Sequence, residues 1–356
     1  MVLHCCALAV LSGPGLLLFL REAELRPTRT GIASAPSPPF GKDFTRDAGS
    51  FNALTVDVED YFQASAFTEL VPCEAWDRQP SRVEQNTKKV LELLAEFDLH
   101  GTFFVVGWVA KRYPSLVRQI QEAGHDLGCH SYAHRLVYRL SPKEFHDDTR
   151  RAKAVIEDAA GTAVHAYRAP SFSITNRSLW ALEILLELGF TADSSIFPTR
   201  NHLYGIPNAP RQPFRIRIQG SDLTEFPLPA LKIGGWGVPV TGGAYLRLVP
   251  YAFQWLGLNR MASRAKPIVL YFHPWELDPD QPRLGCGLGP RFYHYTGLDQ
   301  TEVRLRRLFN TFSFGKLPES PLPATAVYTV AMADGPMGKK TVFEVATEEL
   351  KSDGAQ

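Results

Sequence analysis

The chain has 356 residues, of which 45% are hydrophobic and 21% charged, a composition typical of one large α/β domain or two smaller ones. Its 38 Lys and Arg residues balance 37 Asp and Glu residues without any basic run, which argues against a nucleic acid partner. The five cysteines are widely scattered without a Cys-x-x-Cys pair, so a disulfide framework and a cysteine zinc site are disfavoured and a reducing, cytoplasmic compartment is expected.

The first 50 residues combine an apolar run with a segment rich in Pro, Ser, Thr and Gly. The run CCALAVLSGPGLLLFL has no preceding Lys or Arg, is interrupted by Gly13-Pro14-Gly15, and falls short of the roughly 18 apolar residues of a spanning helix. We expect a poorly ordered segment and no stable membrane span. A weak targeting or membrane segment and a start assigned too early are alternatives that the sequence leaves open.

From residue 52 onward, apolar runs typical of buried strands alternate with helical patterns. ALTVDV predicts a strand, NTKKVLELLAEFDL an amphipathic helix, GTFFVVGWVA a second strand, and YPSLVRQIQEAG a helix that ends at Gly124. HDLGCHSYAH then predicts a short strand that runs into a polar loop. This order is typical of a sheet built from strand-helix-strand units.

The second half of the pattern continues in the same way. SPKEFHDDTRRAKAVIEDAAG begins with a Ser141 cap, Pro at the first helical position and Glu144 three residues later, and it ends at Gly161. AYRAPSF and FTADSSIF predict strands on either side of the helix SLWALEILLELG. KPIVLYFHPWEL predicts a strand with a polar end, and TEVRLRRLFNTF a last helix. Parallel pairing follows, and in a β/α barrel the active site lies at the carboxyl ends of the strands.

Three carboxylates follow the first predicted strand, in the stretch ALTVDVEDYF. Because side chains alternate along a strand, Asp57 and Glu59 project to one side, whereas Val56 and Val58 project to the other. Asp60 comes where the strand should end. Buried carboxylates need partners or a metal ion, so these acids are candidates for a base and an oxygen ligand. A solvated strand terminus is the alternative.

The stretch HSYAH places His130 and His134 four residues apart. Two imidazoles at this spacing share one face of a helical turn and can converge on one divalent cation. A zinc peptidase is disfavoured, because Ser131 stands where that motif has Glu. The alternative is a histidine pair that only caps or hydrogen-bonds.

Two further strand ends carry polar side chains. Arg168 in YRAPSF is a fixed cation, which taken alone is more often a surface or salt-bridge residue than a functional one. His273 in YFHPWE follows an apolar strand and precedes Pro274, where its pKa can be tuned for proton transfer.

The order TVDVED, HSYAH, RAPSF, DSSIF and LYFHPWE resembles the NodB-type polysaccharide deacetylases, carbohydrate esterase family 4, over residues 52–317. Within them it resembles the branch encoded in exopolysaccharide and exosortase (PEP-CTERM) loci, which carries DVEDYF and FHPWELDP. The resemblance implies an α/β fold, a distorted (β/α) barrel of the NodB-homology type, as a single catalytic domain at residues 51–280. A C-terminal extension at 281–335 would pack on the barrel, followed by a polar tail at 336–356.

The resemblance also implies a reaction, the removal of N-acetyl groups from amino sugars of a polysaccharide or oligosaccharide, with one divalent metal ion, expected to be zinc. Asp57 matches the catalytic base, and His130 and His134 match the two metal-binding histidines. Arg168 matches the residue that orients the base. His273 matches the general acid.

Two positions are less simple. Asp193, in DSSIF, matches the aspartate that tunes the general acid in this family. The first motif departs from the common pattern, because Val58 stands where most relatives have a metal-binding aspartate. The oxygen ligand is then Glu59, which strand alternation favours, or Asp60, which a turn of the chain after the strand would favour.

Two other functions stay open at this point. One is a catalytically silent carbohydrate-binding barrel that has lost its metal through the altered first motif. The other is a hydrolase of small non-peptide C–N bonds, such as a cyclic amide. For the deacetylase, we expect a backbone N–H near Tyr132-Ala133 or after Pro170 to help stabilise the oxyanion.

Overall fold

The computed structural model describes residues 51–201, 203–233, 236–264, 266–318, 326–333 and 340–345. The predicted N-terminal segment, 1–50, lies outside these residues, as does most of the predicted tail. Among the described residues no helix is long and apolar enough to cross a membrane.

The described residues contain twelve β-strands. In chain order they are β1 (Asn52–Val58), β2 (Thr102–Val105), β3 (Asp126–Cys129), β4 (Ala166–Tyr167), β5 (Ala192–Asp193), β6 (Phe214–Ile218), β7 (Ser221–Glu225), β8 (Ala230–Ile233), β9 (Trp236–Pro239), β10 (Ile268–Phe272), β11 (Val327–Ala333) and β12 (Lys340–Val345).

Nine α-helices accompany these strands in the described ranges. They are α1 (Val83–Glu96), α2 (Gly107–Arg112), α3 (Pro114–Glu122), α4 (Pro142–Ala160), α5 (Ala181–Glu187), α6 (Gly243–Leu248), α7 (Tyr251–Ala262), α8 (Leu288–Tyr295) and α9 (Leu298–Thr311). Short 3₁₀ helices follow several strands at the functional edge, including Tyr61–Gln63, Pro170–Phe172 and Pro274–Leu277.

The main sheet has the strand order β10-β1-β2-β3-β4-β5-β7-β6-β11-β12, and β8 and β9 form a separate hairpin. The strands from β10 to β7 in this order all pair in parallel, and α1 to α5 lie in the connections between β1 and β5. The antiparallel pairs β6–β7 and β11–β12 extend one side, so the barrel is not a regular ring of parallel strands. The predicted α/β fold of the distorted-barrel type is confirmed.

Alternation along β1 separates two cores. Val56 and Val58 lie fully buried in the large core that the sheet forms with the helices. Ala53 faces the other way, into a smaller core that contains Phe104 and Tyr271. Each large side chain that is fully buried contributes about 1.5–3 kcal/mol, so the register of β1 is strongly fixed. Asp57 therefore shares the face of Ala53 at the carboxyl end of the strand.

One predicted strand is shorter than expected. The stretch GTFFVVGWVA forms β2 only as far as Val105, and α2 begins at Gly107. A Cβ atom on Gly107 would lie 2.9 Å from Cα of Ala152, so glycine lets α2 pack directly against α4. The prediction of strand beyond Val105 is wrong, because the chain must leave the sheet to make this helix contact.

The C-terminal part of the chain contains elements that the sequence patterns did not predict. β6 and β7 form a hairpin whose two-residue turn, Gln219-Gly220, has φ values of +51° and +86°, typical of a type I′ turn. β12 pairs with β11 inside the range predicted as a polar tail, where the stretch TVFEV is rich in the β-branched and aromatic residues that favour strands. Residues 340–345 are thus part of the sheet. The division at residues 280 and 281 stays a prediction.

Candidate active site

Asp57, at the end of β1, is held by Arg168, which follows β4. Nη1 of Arg168 donates to Oδ1 of Asp57 at 2.8 Å and to Oγ1 of Thr55 at 2.8 Å. Its Nε and Nη2 donate to the carbonyl oxygen and Oγ of Ser194, at 3.1 and 2.8 Å. Arg168 is fully buried, and its guanidinium carbon lies 4.3 Å from the ring centroid of Phe104. The side chain of Arg168 therefore holds the carboxylate of Asp57 in place inside the protein, whereas a lone arginine usually makes a salt bridge at the surface.

Glu59, His130 and His134 converge at the same edge of the sheet. One ligand atom from each lies within 4.8 Å of the others, and all three residues are buried. Oε2 of Glu59 lies 2.7 Å from Nε2 of His134. Nδ1 of His130 donates to the carbonyl oxygen of Arg168 at 2.7 Å, which leaves Nε2 of His130 to face the cluster.

The donor set of this cluster fits a divalent metal ion. Two imidazoles and one carboxylate are a common three-residue set for a catalytic zinc ion that keeps an open position. Oε2 of Glu59 is buried and has no partner with hydrogen-bond geometry among the described residues. Its contact with Nε2 of His134 at 2.7 Å lacks that geometry, and a cation bound to both atoms would satisfy this buried oxygen.

The local charges support the ionisation states that a metal site needs. Burial acts to raise the pKa of Glu59, but the charges of His134 and His273 outweigh it and hold this pKa well below its usual range. Burial lowers the pKa of His130 to about 4 and outweighs the opposing charge of Asp57. Glu59 is thus an anion and His130 a neutral imidazole at neutral pH, as metal ligands must be.

Asp60, the alternative oxygen ligand, has a different role. Its Oδ1 accepts from the N–H of Tyr61 at 3.0 Å. Its Oδ2 accepts from Oγ of Ser81 at 2.6 Å and from the N–H groups of Arg82 and Val83 at 2.9 and 3.2 Å. Both oxygens are thereby used to cap a 3₁₀ helix and the start of α1. Glu59, and not Asp60, is the acid that the structure brings to the histidines, and its role as the metal ligand stays a prediction.

The two histidines meet through a strained loop and not through the helical turn that their spacing predicted. Of the six non-glycine residues with positive φ in the described ranges, four lie beside the site: Ser131, His134, Ser171 and Phe172, with φ values between +49° and +57°. Each such residue costs on the order of 1 kcal/mol or more and persists only where its surroundings impose it. The N–H of His134 donates to Oγ of Ser131 at 3.0 Å, which stabilises this loop.

His273 lies between the two acids of the first motif. Its Nε2 is 3.9 Å from Oδ2 of Asp57 and 3.7 Å from Oε1 of Glu59, and its Nδ1 is 2.8 Å from Oε2 of Glu276. Burial acts to lower the pKa of His273, but the charges of Glu59, Glu276 and Asp57 outweigh it and raise this pKa to about 9. The side chain of His273 is 16% exposed, against 3% for Asp57 and Glu59, so the site opens towards the imidazole.

Asp193 does not contact His273, contrary to the role that the family resemblance implied. Its Oδ1 accepts from Oγ of Ser195 at 2.5 Å, and its carboxyl group pairs with that of Glu225. Burial raises the pKa of Asp193 to about 6 and raises that of Glu225 well above its usual range. β5, which carries Asp193, is separated from β10 by four strands in the sheet order. Glu276, and not Asp193, is the carboxylate that the structure places against Nδ1 of His273, and a tuning role for Asp193 stays a prediction.

Three residues at the site had no assigned role in the sequence. Glu276 stands three residues after His273 and receives the N–H of His273 at 3.0 Å, a capping pattern that the sequence FHPWE could have revealed. Nε of Arg247 donates to Oε1 of Glu276 at 2.7 Å. Nε1 of Trp275 donates to Oε1 of Glu59 at 3.0 Å. The sequence carries no comparable signal for Arg247 and Trp275, because both contacts depend on tertiary structure.

The expected oxyanion donors near Tyr132-Ala133 are already in use. The N–H of Tyr132 donates to Oδ2 of Asp148 at 2.7 Å, and the N–H of Ala133 also bonds to Asp148. Asp148 lies on α4, so these N–H groups hold the histidine loop to that helix. The alternative donor, an N–H after Pro170, stays a prediction.

Two family models match the chain in succession. Residues 75–192 match the model described as polysaccharide deacetylase, and this range contains His130, His134 and Arg168. Residues 194–320 match a domain of unknown function (DUF3473), and this range contains His273 and Glu276.

Curated relatives match shorter stretches of the chain. A peptidoglycan-N-acetylglucosamine deacetylase of Bacillus cereus is 30% identical over 98 residues, which are 27% of this chain and 36% of that protein. A chitooligosaccharide deacetylase of Bradyrhizobium is 28% identical over 99 residues, which are 28% of this chain and 43% of that protein. The chain thus spans less than half the length of these relatives.

Among solved structures, a family 4 carbohydrate esterase from Streptomyces lividans in complex with acetate has a TM-score of 0.41 and 16% sequence identity, covering 78% of this chain and 96% of that chain. The family model and the curated relatives thus show that part of this chain is similar to polysaccharide deacetylases.

Proposed function

We propose that this protein is a metal-dependent deacetylase that hydrolyses the N-acetyl groups of amino-sugar residues in a polysaccharide or oligosaccharide. One observation carries the proposal. A candidate base, a candidate acid and a three-residue donor set for a metal ion meet in one buried site, where Nε2 of His273 is 3.9 Å from Asp57 and 3.7 Å from Glu59. A silent binding barrel has no need for this combination.

Glu59, His130 and His134 would hold the divalent ion, and we propose zinc because two imidazoles and a carboxylate suit it. When bound, such an ion polarises the acetyl carbonyl and lowers the pKa of a water molecule. The donor set supports this dependence on a metal ion.

Asp57 acts as the base in this proposal. Because Oδ1 of Asp57 is occupied by Arg168, the proton of the attacking water goes to Oδ2, the oxygen that faces His273. Arg168 fixes the carboxylate in this orientation through its additional bonds to Thr55 and Ser194. General base catalysis of this kind contributes about 10²–10⁴-fold to a rate.

His273 acts as the acid. With its pKa raised to about 9, the imidazole is protonated at neutral pH, and its Nε2–H can protonate the leaving amine nitrogen as the C–N bond breaks. Glu276 holds Nδ1, which leaves Nε2 directed at the site. The amide would face both Oδ2 of Asp57 and Nε2 of His273 from the open side of the site, with its oxygen towards the N–H after Pro170. The products are acetate and a free amino sugar.

We further propose that the protein acts on an N-acetylated glycan in exopolysaccharide biosynthesis. The relatives named for peptidoglycan and chitooligosaccharides support an N-acetylated glycan as substrate. The stretches DVEDYF and FHPWELDP support exopolysaccharide biosynthesis in the exosortase-linked branch. The free thiols of Cys73, Cys129 and Cys286 in the described ranges are compatible with a reducing, cytoplasmic compartment.

The test uses the purified full chain with N-acetylglucosamine oligomers, and it measures released acetate and bound metal. We expect zinc-dependent release that stops with a chelator, returns with added zinc and is lost in Asp57→Asn. Oligomer binding with neither metal nor acetate release would instead establish the silent barrel. Faster hydrolysis of small cyclic amides than of oligomers would establish the other alternative.

A further inference from the structure

Trp275 lies at the centre of a stack of three rings beside the metal-binding cluster. The ring of His273 lies on one side, with centroids 5.0 Å apart and an interplanar angle of 20°. The ring of His294, on α8, lies 4.1 Å from Trp275 with an angle of 15°. Trp275 and His294 are 4% and 2% exposed, so this stack is internal. The indole N–H of Trp275 points out of the stack and donates to Glu59.

Gln281 fixes the far side of this stack. Its Oε1 is 3.0 Å from Nε2 of His294, and its Nε2 donates to the carbonyl oxygens of Trp275 and Asp278 at 2.8 and 2.9 Å. The edge of the Phe67 ring also packs on His294, with centroids 4.6 Å apart. His294 is thereby held in one orientation against the indole.

Arg247 links the end of α8 to the general acid. Its Nη1 and Nη2 donate to the carbonyl oxygens of Thr296 and Tyr293 at 2.6 and 3.1 Å, while its Nε donates to Glu276 at 2.7 Å. The side chains of Arg247 and Glu276 are 1% and 0% exposed. Carbonyls at the carboxyl end of a helix otherwise lack partners, so α8 provides a fixed anchor for this guanidinium.

We propose that residues 281–296 are a positioning element of the active site, which holds Glu59 through Trp275 and holds His273 through Arg247 and Glu276. Groups that hydrogen-bond to a metal ligand orient it and tune its affinity for the metal. Here the indole fixes one oxygen of Glu59 and leaves the other beside His134. The proposal gives a role to part of the range that matches the domain of unknown function, and its catalytic consequence rests on the proposed function.

Four variants test this positioning role. Trp275→Phe keeps a flat ring and removes the donor to Glu59, and His294→Ala removes the outer ring of the stack. His294→Phe restores a ring without the bond to Gln281. Phe292→Ala is the matched control, because Phe292 lies on the same helix but is 58% exposed.

Zinc affinity is measured by competition with a chromophoric chelator, in the absence of substrate. We expect Trp275→Phe and His294→Ala to weaken zinc binding about 10–100-fold, the usual cost of removing a group that supports a metal ligand. His294→Phe should recover most of this loss, and Phe292→Ala should bind zinc as the wild type does.

A second measurement is independent of metal. The indole N–H signal of Trp275, identified by its absence in Trp275→Phe, should exchange slowly with solvent in the metal-free wild type and rapidly in His294→Ala. Unchanged zinc affinity together with unchanged N–H exchange in His294→Ala would overturn the positioning role. If the wild type bound no zinc, the proposed function would fail, and the exchange of this N–H alone would decide the positioning role.

Discussion

Replacing Glu276 with glutamine tests which carboxylate tunes the general acid. Oε2 of Glu276 lies 2.8 Å from Nδ1 of His273, and the charges of Glu59, Glu276 and Asp57 together raise the pKa of His273 to about 9 against the effect of burial. A glutamine side chain has nearly the same shape as glutamate and could still accept a hydrogen bond from Arg247. The substitution Glu276→Gln therefore removes mainly a negative charge.

The size of the effect follows from this distance. A unit charge 2.8 Å away corresponds to about 6 kcal/mol at an effective dielectric constant of about 20. Arg247, 2.7 Å from the other oxygen of Glu276, offsets part of this energy. Opposite charges at such distances change a pKa by about one to three units in proteins. We expect the pKa of His273 to fall by about two units, equivalent to about 2.7 kcal/mol.

The assay is the pH dependence of kcat/KM for acetate release. In Glu276→Gln the basic limb should move down by about two pH units, so that kcat/KM falls up to about 100-fold above the wild-type limb and is unchanged well below the limb of the variant. A bound cation lowers the pKa of His273 in both proteins, so they are compared at equal zinc occupancy. Asp193→Asn is the control, because Asp193 does not contact His273.

Two results would refute this reasoning. A basic limb that stays in place in Glu276→Gln would show that Glu276 does not tune the acid. A basic limb that moves equally in Asp193→Asn would restore the role that the family resemblance implied for that residue. Stability gives a further check, since the pKa of His273 is raised above 6.5. The stabilisation from its protonation is complete below pH 6.5 and is lost as the pH rises through about 9, so Glu276→Gln should flatten this part of the unfolding profile.

Four other substitutions test the remaining assignments. Elemental analysis should find no zinc in Glu59→Gln and a wild-type zinc content in Asp60→Asn. Asp60→Asn should instead lower the free energy of unfolding in urea by about 1–3 kcal/mol, because it weakens four capping hydrogen bonds. Loss of zinc from Asp60→Asn alone would contradict the capping role of Asp60. Arg168→Met should destabilise the protein by about 3–5 kcal/mol, because it leaves the buried carboxylate of Asp57 without its cation. Unfolding curves that match the wild type would show that this ion pair does not stabilise the fold. Asp57→Asn should reduce kcat about 10²–10⁴-fold while the affinity for zinc stays within the wild-type range. If kcat and zinc affinity fell by comparable factors, Asp57 would be a metal ligand and not the base.

Much of the site could be predicted because it lies where parallel strands end. Asp57, His130, Arg168 and His273 follow or close β1, β3, β4 and β10, and the carboxyl ends of parallel strands meet at one edge. The apolar runs that predict these strands therefore also indicate where the candidate functional residues lie, at the carboxyl end of each run.

The partner of His273 could not be predicted in this way. Asp193 also closes a strand, and nothing in the sequence shows that β5 and β10 lie on either side of four other strands in the order of the sheet. Glu276 reaches His273 through a 3₁₀ turn, a local contact that an assignment by motif passes over. The positive φ values of Ser131 and His134 were equally hidden, because spacing four residues apart also fits a helix.

Contacts between segments that are far apart in the sequence are even harder to predict. Trp275 and Glu59 are 216 residues apart, and Arg247 and Glu276 are 29 apart, yet these two hydrogen bonds hold the proposed metal ligand and the carboxylate beside His273. Neither Trp275 nor Arg247 stands in a periodic pattern that differs from ordinary packing. Their positions follow from tertiary packing, which no local pattern specifies.

The altered first motif follows from how far β1 extends. β1 remains a strand through Val58, whose carbonyl accepts from the N–H of Val106 at 3.2 Å, so this side chain points into the core against the helices. A metal ligand at that position would face away from His130 and His134. The next residue on the face of Asp57 is Glu59, and its longer side chain reaches the histidines from just beyond the strand. On the proposed function, Val58 in place of the usual aspartate moves the carboxylate ligand by one residue, to Glu59, and is by itself no sign that the metal site is lost.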